Sequence, residues 1–273
     1  MIEIVEHGAV RELRLARPPA NALSPELIVA LAKAVGAAAE EAERAPRLTE
    51  PPSRPEPVAA LVLSGAPGMF SAGLDLPYLL TLDRGGIRDM WHDFYSLLRG
   101  LAGSPLPLVA AITGHSPAGG AVLALYCDTR VMAAGDYRIG LNEVRVGLPM
   151  PPVILAAMRR LVGPRLAERL CVSGTLLTAA EAERAGLVDE VVPPERVVER
   201  AVAVAGELAA LPRAAMTETR RMARADLVAL FDGGTHLQDA EVDSLLDFWF
   251  GAEAQTTMRA LVERLAKRRA GGG

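Results

Sequence analysis

Residues 106–128 read LPLVAAITGHSPAGGAVLALYCD, and they indicate the fold class more clearly than any other part of the chain. Its first part, residues 106–114, is a short apolar run with the length and composition of a buried strand. A second apolar run begins at the glycine pair Gly119–Gly120 and predicts a helix. A glycine-rich turn between a buried strand and a helix indicates an α/β protein with a largely parallel sheet.

Similar strand–turn–helix units flank this stretch. VAALVLSG at 58–65 predicts another buried strand, which leads through the glycine-rich segment 68–76 into a helix. RVMAAG at 130–135 and YRIGL at 137–141 predict two further strands. The helix after residue 76 carries an apolar face formed by Trp91, Phe94, Leu97 and Leu98.

The N-terminal part of the chain shows three local signals. Residues 2–15 alternate apolar and polar side chains and predict a β-hairpin. Ser24 followed by Pro25 predicts a helix start, because serine caps the free amides and proline suits the first turn. The proline-rich segment 45–57 cannot form a helix or a central strand and predicts an exposed loop.

The pattern becomes helical from Pro151 onward. Thr178 predicts the cap of a helix that ends at Gly186, and Pro194 predicts the start of a long amphipathic helix. Residues 236–269 predict one or two terminal helices.

Composition limits the function. Of 273 residues, 51% are hydrophobic, which is enough for a large core. The 29 Lys and Arg residues are outnumbered by 33 Asp and Glu residues, which argues against a nucleic-acid binder. Two cysteines support neither a disulfide framework nor a thiolate zinc site. The acidic N-terminus is unlike a signal peptide and no long apolar run occurs, so we expect a cytoplasmic enzyme without membrane partners.

The segment GHSPAGG at 114–120 is similar to the nucleophile elbow of serine hydrolases. An elbow needs the residue after the nucleophile to donate its amide to the oxyanion. After Ser116 that residue is Pro117, which has no N–H, and Ala118 occupies the place of the second glycine. The base would have to be His236, the one histidine that follows Ser116. A serine hydrolase is therefore disfavoured.

Four segments together resemble the crotonase superfamily, the enoyl-CoA hydratases and isomerases. They are FSAGLDL (70–76), ITGHSPAGGAVLALYCD (112–128), YRIGLNEVRVGL (137–148) and LTAAEAERAGLVDEVVP (177–193). They occur in the order and spacing of that superfamily and extend the resemblance over most of the chain.

The resemblance implies an α/β fold of the ClpP/crotonase type. Residues 1–192 would form a spiral of β-β-α units, and residues 193–273 a helical region for assembly into a homotrimer or a dimer of trimers. The implied substrate is an acyl thioester of coenzyme A. The resemblance implies neither a metal nor a separate cofactor.

The resemblance also implies an oxyanion hole. Its two backbone donors would be the amides of Leu74, after the glycine of SAGLD, and of Gly119, the first glycine of AGG. Each such donor to a developing enolate oxygen is worth about 3 kcal/mol. Gly119 also opens a helix, whose N-terminal dipole favours negative charge.

The carboxylates distinguish hydration from isomerisation. Hydratases of this superfamily use two glutamates, and the corresponding positions here are Val122, in the substrate pocket, and Glu143. Valine cannot orient or deprotonate water, whereas moving a proton needs one base. The alternative for Glu143 is a surface carboxylate paired with Arg145. The apolar neighbours of Glu143 are expected to bury it and thereby predict a pKa raised by desolvation; they are Ile139, Leu141, Val144 and Val146.

SPAGG followed by an apolar residue, together with GLNE, is most similar to the mitochondrial-type Δ3,Δ2-enoyl-CoA isomerases. We therefore expect a 3-enoyl-CoA to 2-enoyl-CoA isomerase with Glu143 as its single acid/base. Two alternatives remain open at this point. One is another crotonase reaction, either hydration or thioester hydrolysis, and the other is a non-catalytic crotonase-fold subunit.

Five further residues have predicted contacts with the substrate. Ala20, Asn21 and Ala22 resemble the family segment that runs along coenzyme A, although a simple turn before the helix explains them equally well. Phe70 and Ala72 would line the pantetheine channel, and Phe70 is equally compatible with the core.

Overall fold

A computed structural model of the chain describes residues 1–44, 57–232 and 235–270, with side chains except at 235–238 and 268–270. The predicted exposed loop therefore lies outside the described residues, except for its last residue, Pro57. Among the described residues, no helix combines the length and the apolar composition that crossing a bilayer requires.

The described part of the chain contains short strands and helices in alternation. The strands are Ile2–His7 (β1), Val10–Leu15 (β2), Ala60–Ser64 (β3), Gly68–Met69 (β4), Leu108–Ile112 (β5), Gly114–Pro117 (β6), Thr129–Ala133 (β7), Arg138–Gly140 (β8), Leu177–Thr178 (β9) and Glu190–Val192 (β10).

Helices precede, join and follow these strands. They are Pro25–Arg44 (α1), Leu76–Leu79 (α2), Arg84–Gly103 (α3), Gly119–Leu125 (α4), Pro152–Val162 (α5), Pro164–Ser173 (α6), Ala179–Arg184 (α7), Val197–Ala209 (α8), Arg213–Ala223 (α9), Ala225–Ala229 (α10), Thr235–Trp249 (α11) and Ala252–Ala270 (α12). Two 3-10 turns occur at Glu143–Val146 and Pro194–Arg196.

Most sequence predictions of these elements are confirmed. The hairpin pairs Ile2 with Leu15 and His7 with Val10, and α1 begins directly at Pro25. Thr178 caps α7 in a full capping box with Glu181. The helix predicted to start at Pro194 begins as a 3-10 turn and becomes an α-helix only at residue 197.

The two strands of each β-β-α unit belong to two different sheets. The larger sheet has the order β1-β2-β3-β5-β7-β10, and the smaller one has the order β4-β6-β8-β9. The first strand of each unit, β3, β5 or β7, joins the larger sheet, and the next strand, β4, β6 or β8, joins the smaller one. The chain thus advances by one strand in each sheet per unit, which is the spiral of the crotonase fold.

The larger sheet is buried on both faces. Alternate residues of a strand point to opposite faces, so Leu61 and Leu63 pack into the main core, whereas Ala60 and Val62 pack into a second core. The second core is closed by α8, the first α-helix after residue 192. Helix α8 therefore covers the sheet directly, and the division of the chain at residue 192 stays a prediction.

A buried ion cluster ties the C-terminal helices to the units before them. Asp128 accepts hydrogen bonds from Arg220 on α9, at 2.9 and 3.0 Å, and from Arg224 at 2.5 Å. Arg220 also donates to the carbonyl groups of Leu101 and Ala102 near the end of α3, and Arg224 donates to that of Tyr126 after α4. These contacts satisfy helix-end carbonyls that otherwise lack donors.

A buried carboxylate fastens the N-terminal hairpin to the sheet. Glu12, on β2, is fully buried and accepts hydrogen bonds from Ser64 (2.6 Å), Arg14 (3.0 Å) and the ring nitrogen of His7 (2.9 Å). Burial alone would raise the pKa of Glu12, but these hydrogen bonds outweigh it and hold the pKa below its ordinary value.

We expect Glu12→Gln to lower the free energy of unfolding by about 3 kcal/mol near neutral pH, because it removes the charge from a buried hydrogen-bonded group. Since the folded-state pKa is depressed, this contribution is present above the pKa of the unfolded chain and is lost as the pH falls. Urea unfolding at pH 7 and pH 4 measures both effects. Glu6→Gln, which removes an exposed partner of Arg11, is the control and should change little.

Candidate active site

Three loops meet because the strands before them are parallel neighbours. Strand β6 pairs in parallel with β4 on one side and with β8 on the other. The segments that follow β4, β6 and β8 therefore leave the same edge of the small sheet. They carry the three motifs FSAGLDL, SPAGG and GLNE.

The first loop leaves one amide unused. The amides from Met69 to Leu76 donate hydrogen bonds to acceptors in the protein, with Leu74 as the exception among these described residues. The carbonyl of Gly73 accepts from the Leu23 amide at 2.8 Å. Because a trans peptide points its C=O and N–H in opposite directions, the Leu74 N–H faces away from Leu23.

The second loop presents the N-terminus of α4. Pro117 has no N–H, the Ala118 amide donates to the carbonyl of Gly140 at 2.8 Å, and the first helical amide belongs to Gly119. Helix starts leave their first amides without internal acceptors, and within the described residues Gly119 N–H has none. Ala118 has φ 48°, a conformation that alanine rarely adopts, and this strained residue orients the following amide.

The two free amides lie beside each other. A Cβ atom added to Gly73 would lie 3.0 Å from the Gly119 nitrogen, and one added to Gly119 would lie 3.4 Å from the Leu74 nitrogen. Gly73 has φ 83°, so this position favours glycine by conformation as well as by space. Two adjacent unpaired donors of this kind can bind one oxyanion.

The third loop supplies a buried carboxylate. Glu143 is the first residue of a 3-10 turn and lies three residues after Gly140. The carbonyl of Gly140 accepts the hydrogen bond from the Ala118 amide. The Oε2 atom of Glu143 is buried and has no hydrogen-bond partner. Burial raises the pKa of Glu143 to about 7, and a backbone hydrogen bond opposes part of this rise. Such a group can take up and return a proton near neutral pH.

The pairing of Glu143 with Arg145 does not occur. Arg145 turns away and donates from Nε to the carbonyl of Gly174 at 2.7 Å, which anchors the turn to the end of α6. On the other side, a Cβ on Gly147 would lie 2.8 Å from the Cα of Ala254, so α12 packs closely against the same turn. The backbone around Glu143 is thus held from two sides.

The apolar surroundings of Glu143 differ in part from the prediction. Ile139 and Leu141 are buried as expected, but Val144 is exposed on the outer side of the turn. The thiol of Cys171 on α6 also lies within electrostatic range of Glu143. The pKa of Cys171 is raised to about 11. Burial of the thiol is the main cause, and the negative charge of Glu143 is the second.

The structure brings together the segments predicted to contact coenzyme A. Ala20 accepts a hydrogen bond from the amide of Ala72 at 2.9 Å, and the side chain of Asn21 donates to the carbonyl of Phe70 at 3.1 Å. Asn21 is 2% exposed and Phe70 is fully buried, so their side chains serve the packing of the two loops. Ala20, Ala22 and Ala72 are partly exposed, and their coenzyme A contacts stay predictions.

The position of a hydratase's first glutamate is apolar and enclosed here. Val122 lies in the first turn of α4, three residues after Gly119, and is 1% exposed. Its amide donates to the carbonyl of Ala118, so the helix is regular at this point. A contact between Val122 and the acyl group stays a prediction.

The serine hydrolase arrangement is absent from the described loop. Ser116 lies within β6 and not on a strand-to-helix elbow, and its hydroxyl is buried without a hydrogen-bond partner. The side chain of His236 lies outside the described residues. His115, the nearest histidine, has its Nδ1 accepting from the Arg138 amide and its ring packed edge-on against Tyr137.

Two features of this site escaped the sequence analysis. The strained Ala118 has no signal, because alanine is not a residue expected at positive φ. Ser71 was visible as a polar residue inside the otherwise apolar turn FSAGL, and this was a usable signal for a hydrogen-bonding role.

Comparisons with known proteins identify the class. The family model described as enoyl-CoA hydratase/isomerase matches residues 6–268. The chain therefore belongs to the enoyl-CoA hydratase/isomerase family, and it is an enzyme of the crotonase superfamily.

Individual relatives agree with this class. Mouse mitochondrial enoyl-CoA delta isomerase 1 is 32% identical over 98% of this chain and 88% of its own length. The crystal structure of human mitochondrial Δ3-Δ2-enoyl-CoA isomerase superposes with a TM-score of 0.87 at 29% identity, covering 98% of both chains. An enoyl-CoA hydratase from Mycobacterium ulcerans superposes with a TM-score of 0.77 at 30% identity, over 88% of this chain and 98% of that one.

We expect Gly119→Ala to lower turnover about 100-fold, the usual cost of one lost oxyanion donor, because a Cβ there would lie 2.9 Å from Leu23 Cδ1 and 3.3 Å from Gly73 Cα and must displace the loop that carries the Leu74 amide. Initial rates with an enoyl-CoA substrate measure the effect. Gly36→Ala is the matched control, since a Cβ there meets nothing within 4 Å and alanine favours the helix. Equal rates for both variants would contradict an oxyanion role for Gly119.

Proposed function

We propose that this enzyme isomerises 3-enoyl-CoA to 2-enoyl-CoA. The observation that carries the proposal is the buried, unpartnered Oε2 atom of Glu143, with the apolar Val122 at the position of a hydratase's first glutamate. The similarity to the mouse and human mitochondrial isomerases over nearly the whole chain supports it.

The proposed reaction is a proton transfer in two steps. Glu143 removes a proton from C2 of the 3-enoyl thioester, and the electron pair moves onto the carbonyl oxygen to form a dienolate. The protonated Glu143 then gives the same proton to C4, and the double bond comes to lie between C2 and C3. A base with a pKa near 7 suits both steps, because it is neither too weak to accept nor too strong to donate.

The oxyanion of the dienolate would lie between the amides of Leu74 and Gly119. Both donors belong to the main chain and are fixed before the substrate binds, so little reorganisation accompanies the appearance of charge. The N-terminal end of α4 adds a favourable dipole at the same point.

The second candidate is hydration by the same site, favoured by the similarity to enoyl-CoA hydratases. Hydration requires a group that orients and activates water in addition to Glu143, and Val122 cannot do this. Product analysis separates the candidates. A medium-chain 3-enoyl-CoA should give a conjugated 2-enoyl-CoA of unchanged mass, whereas a hydratase would give a water adduct and a thioesterase would release free coenzyme A.

Two further features belong to the proposal and rest on the family resemblance. We propose that the enzyme assembles as a homotrimer or as a dimer of trimers and needs no cofactor beyond the coenzyme A of its substrate. A location in the cytoplasm also stays a proposal, and it rests on the sequence composition and not on the resemblance.

We expect Glu143→Gln to reduce isomerisation at least about 1,000-fold, because glutamine cannot accept the C2 proton. Binding of a saturated acyl-CoA, measured by calorimetry, should remain within a few-fold of wild type. Glu168→Gln, on the exposed face of α6, is the control and should keep full activity. A Glu143→Gln enzyme that retains turnover would point to a different base, and a non-catalytic subunit would be indifferent to the change.

The raised pKa of Glu143 sets two pH dependences. Because the ionised form is the base, kcat/KM should rise with pH and level off above about 7. Because the folded-state pKa is above the ordinary value of 4.5, the folded chain binds this proton more tightly, and stability falls as the pH rises from about 4.5 to 7. Glu143→Gln should therefore melt at a higher temperature than wild type at pH 8 and not at pH 4.

A further inference from the structure

The orientation of the Leu74 amide depends on the backbone conformation of the preceding glycine, Gly73. Gly73 has φ 83°, and a glycine can rotate about its backbone bonds more freely than any other residue. Rotation at Gly73 would turn the 73–74 peptide and with it the proposed oxyanion donor. Something must therefore fix both sides of Gly73.

The carbonyl side of Gly73 is fixed by main-chain pairing. The Gly73 carbonyl accepts from the Leu23 amide at 2.8 Å, and the Leu23 carbonyl accepts from the Asp75 amide at 3.1 Å. This isolated bridge holds the peptide that contains the Leu74 N–H from one direction.

The amide side of Gly73 is fixed by a side chain. The Ser71 hydroxyl accepts from the Gly73 amide at 3.2 Å and donates to the carbonyl of Asn21 at 2.7 Å. Ser71 is fully buried, so water does not compete for either bond. One hydroxyl thus joins the glycine of the donor loop to the segment before α1.

Asn21 holds in place the carbonyl that accepts from the Ser71 hydroxyl. Its side-chain oxygen accepts from the Arg17 amide at 2.9 Å, and its side-chain nitrogen donates to the carbonyl of Phe70 at 3.1 Å. Asn21 itself has φ 48°, which asparagine tolerates better than most residues. Two side-chain hydrogen bonds thereby hold Asn21 in the conformation that directs its carbonyl at Ser71.

We propose that Ser71, supported by Asn21, is a positioning residue that holds the Leu74 amide in the orientation of an oxyanion donor. This inference rests on the proposed oxyanion hole and deepens it. Neither side chain touches the substrate in this role. Without the Ser71 hydroxyl, the Gly73 amide and the Asn21 carbonyl lose their partners. The amide side of Gly73 is then unrestrained, and rotation at this glycine turns the Leu74 amide away from the oxyanion position.

Ser71→Ala tests the proposal, with Ser104→Ala as the matched control. The Ser104 hydroxyl is also buried and also bridges an amide and a carbonyl, both of Leu106, but it lies at the end of α3. We expect Ser71→Ala to lower kcat about 10- to 100-fold, as for a weakened oxyanion donor, with KM changed less than threefold. Ser104→Ala should change the melting temperature alone.

A spectroscopic reading separates positioning from stability. Cinnamoyl-CoA absorbs at longer wavelength when its thioester carbonyl accepts strong hydrogen bonds, so bound probe reports the two amides directly. Ser71→Ala should bind the probe and lose much of the wavelength shift seen with wild type. Ser71→Cys, whose thiol is a weaker donor and acceptor, should retain an intermediate shift and intermediate turnover.

The outcomes also separate this inference from the proposed function. If wild type shifts the probe but does not isomerise 3-enoyl-CoA, the isomerase proposal fails and the Ser71 series still tests positioning through the shift. An unchanged shift in a folded Ser71→Ala enzyme overturns the positioning role. The absence of any shift in wild type overturns the oxyanion hole and the role of Ser71 with it.

Discussion

The parallel pairing of three very short strands, β4, β6 and β8, is the constraint on which the site depends. At the first pairing the backbones meet so closely that a Cβ on Gly114 would lie 1.9 Å from the carbonyl carbon of Gly68. Only glycine permits this approach. Because the pairing is parallel, the loops after all three strands emerge on one side, and a free amide, a helix start and a carboxylate arrive together.

Burial has opposite consequences for the two carboxylates that matter most. Glu12 is surrounded by donors and stays ionised, so it strengthens the fold. Glu143 has a buried oxygen without a partner, so its charge is disfavoured and its presence costs stability above neutral pH. The anchoring of its turn by Gly174 and by α12 offsets this cost. If Glu143 is the proposed base, function and stability oppose each other at this residue, as is common at active sites.

Sequence patterns predicted the elements well because local chemistry determines them. The Thr178 cap, the Pro25 helix start and the buried strands follow from side chains within a few residues. The sequence also indicated the glycines of the two turns proposed to form the oxyanion hole, and the proposed base Glu143. The sequence could not predict that the Leu74 amide is unpaired, because this depends on the bridge to Leu23, some fifty residues earlier in the chain. A similar separation in sequence explains why the hydrogen bond from Asn21 to Phe70 was not predicted. Asn21 has the features of an ordinary turn residue, but its side chain supports the loop that follows β4.

The two proposed donors are main-chain groups, and this has an evolutionary consequence. Most substitutions alter a side chain and leave the peptide N–H in place, so random mutations rarely remove such an anion-binding site. Residue 122, in contrast, lies one helical turn further along α4, and a change there from valine to an acid alters a side chain and leaves both peptide N–H groups in the chain. A lineage built on this scaffold can therefore acquire or lose a reaction through one codon while its capacity to hold an enolate persists.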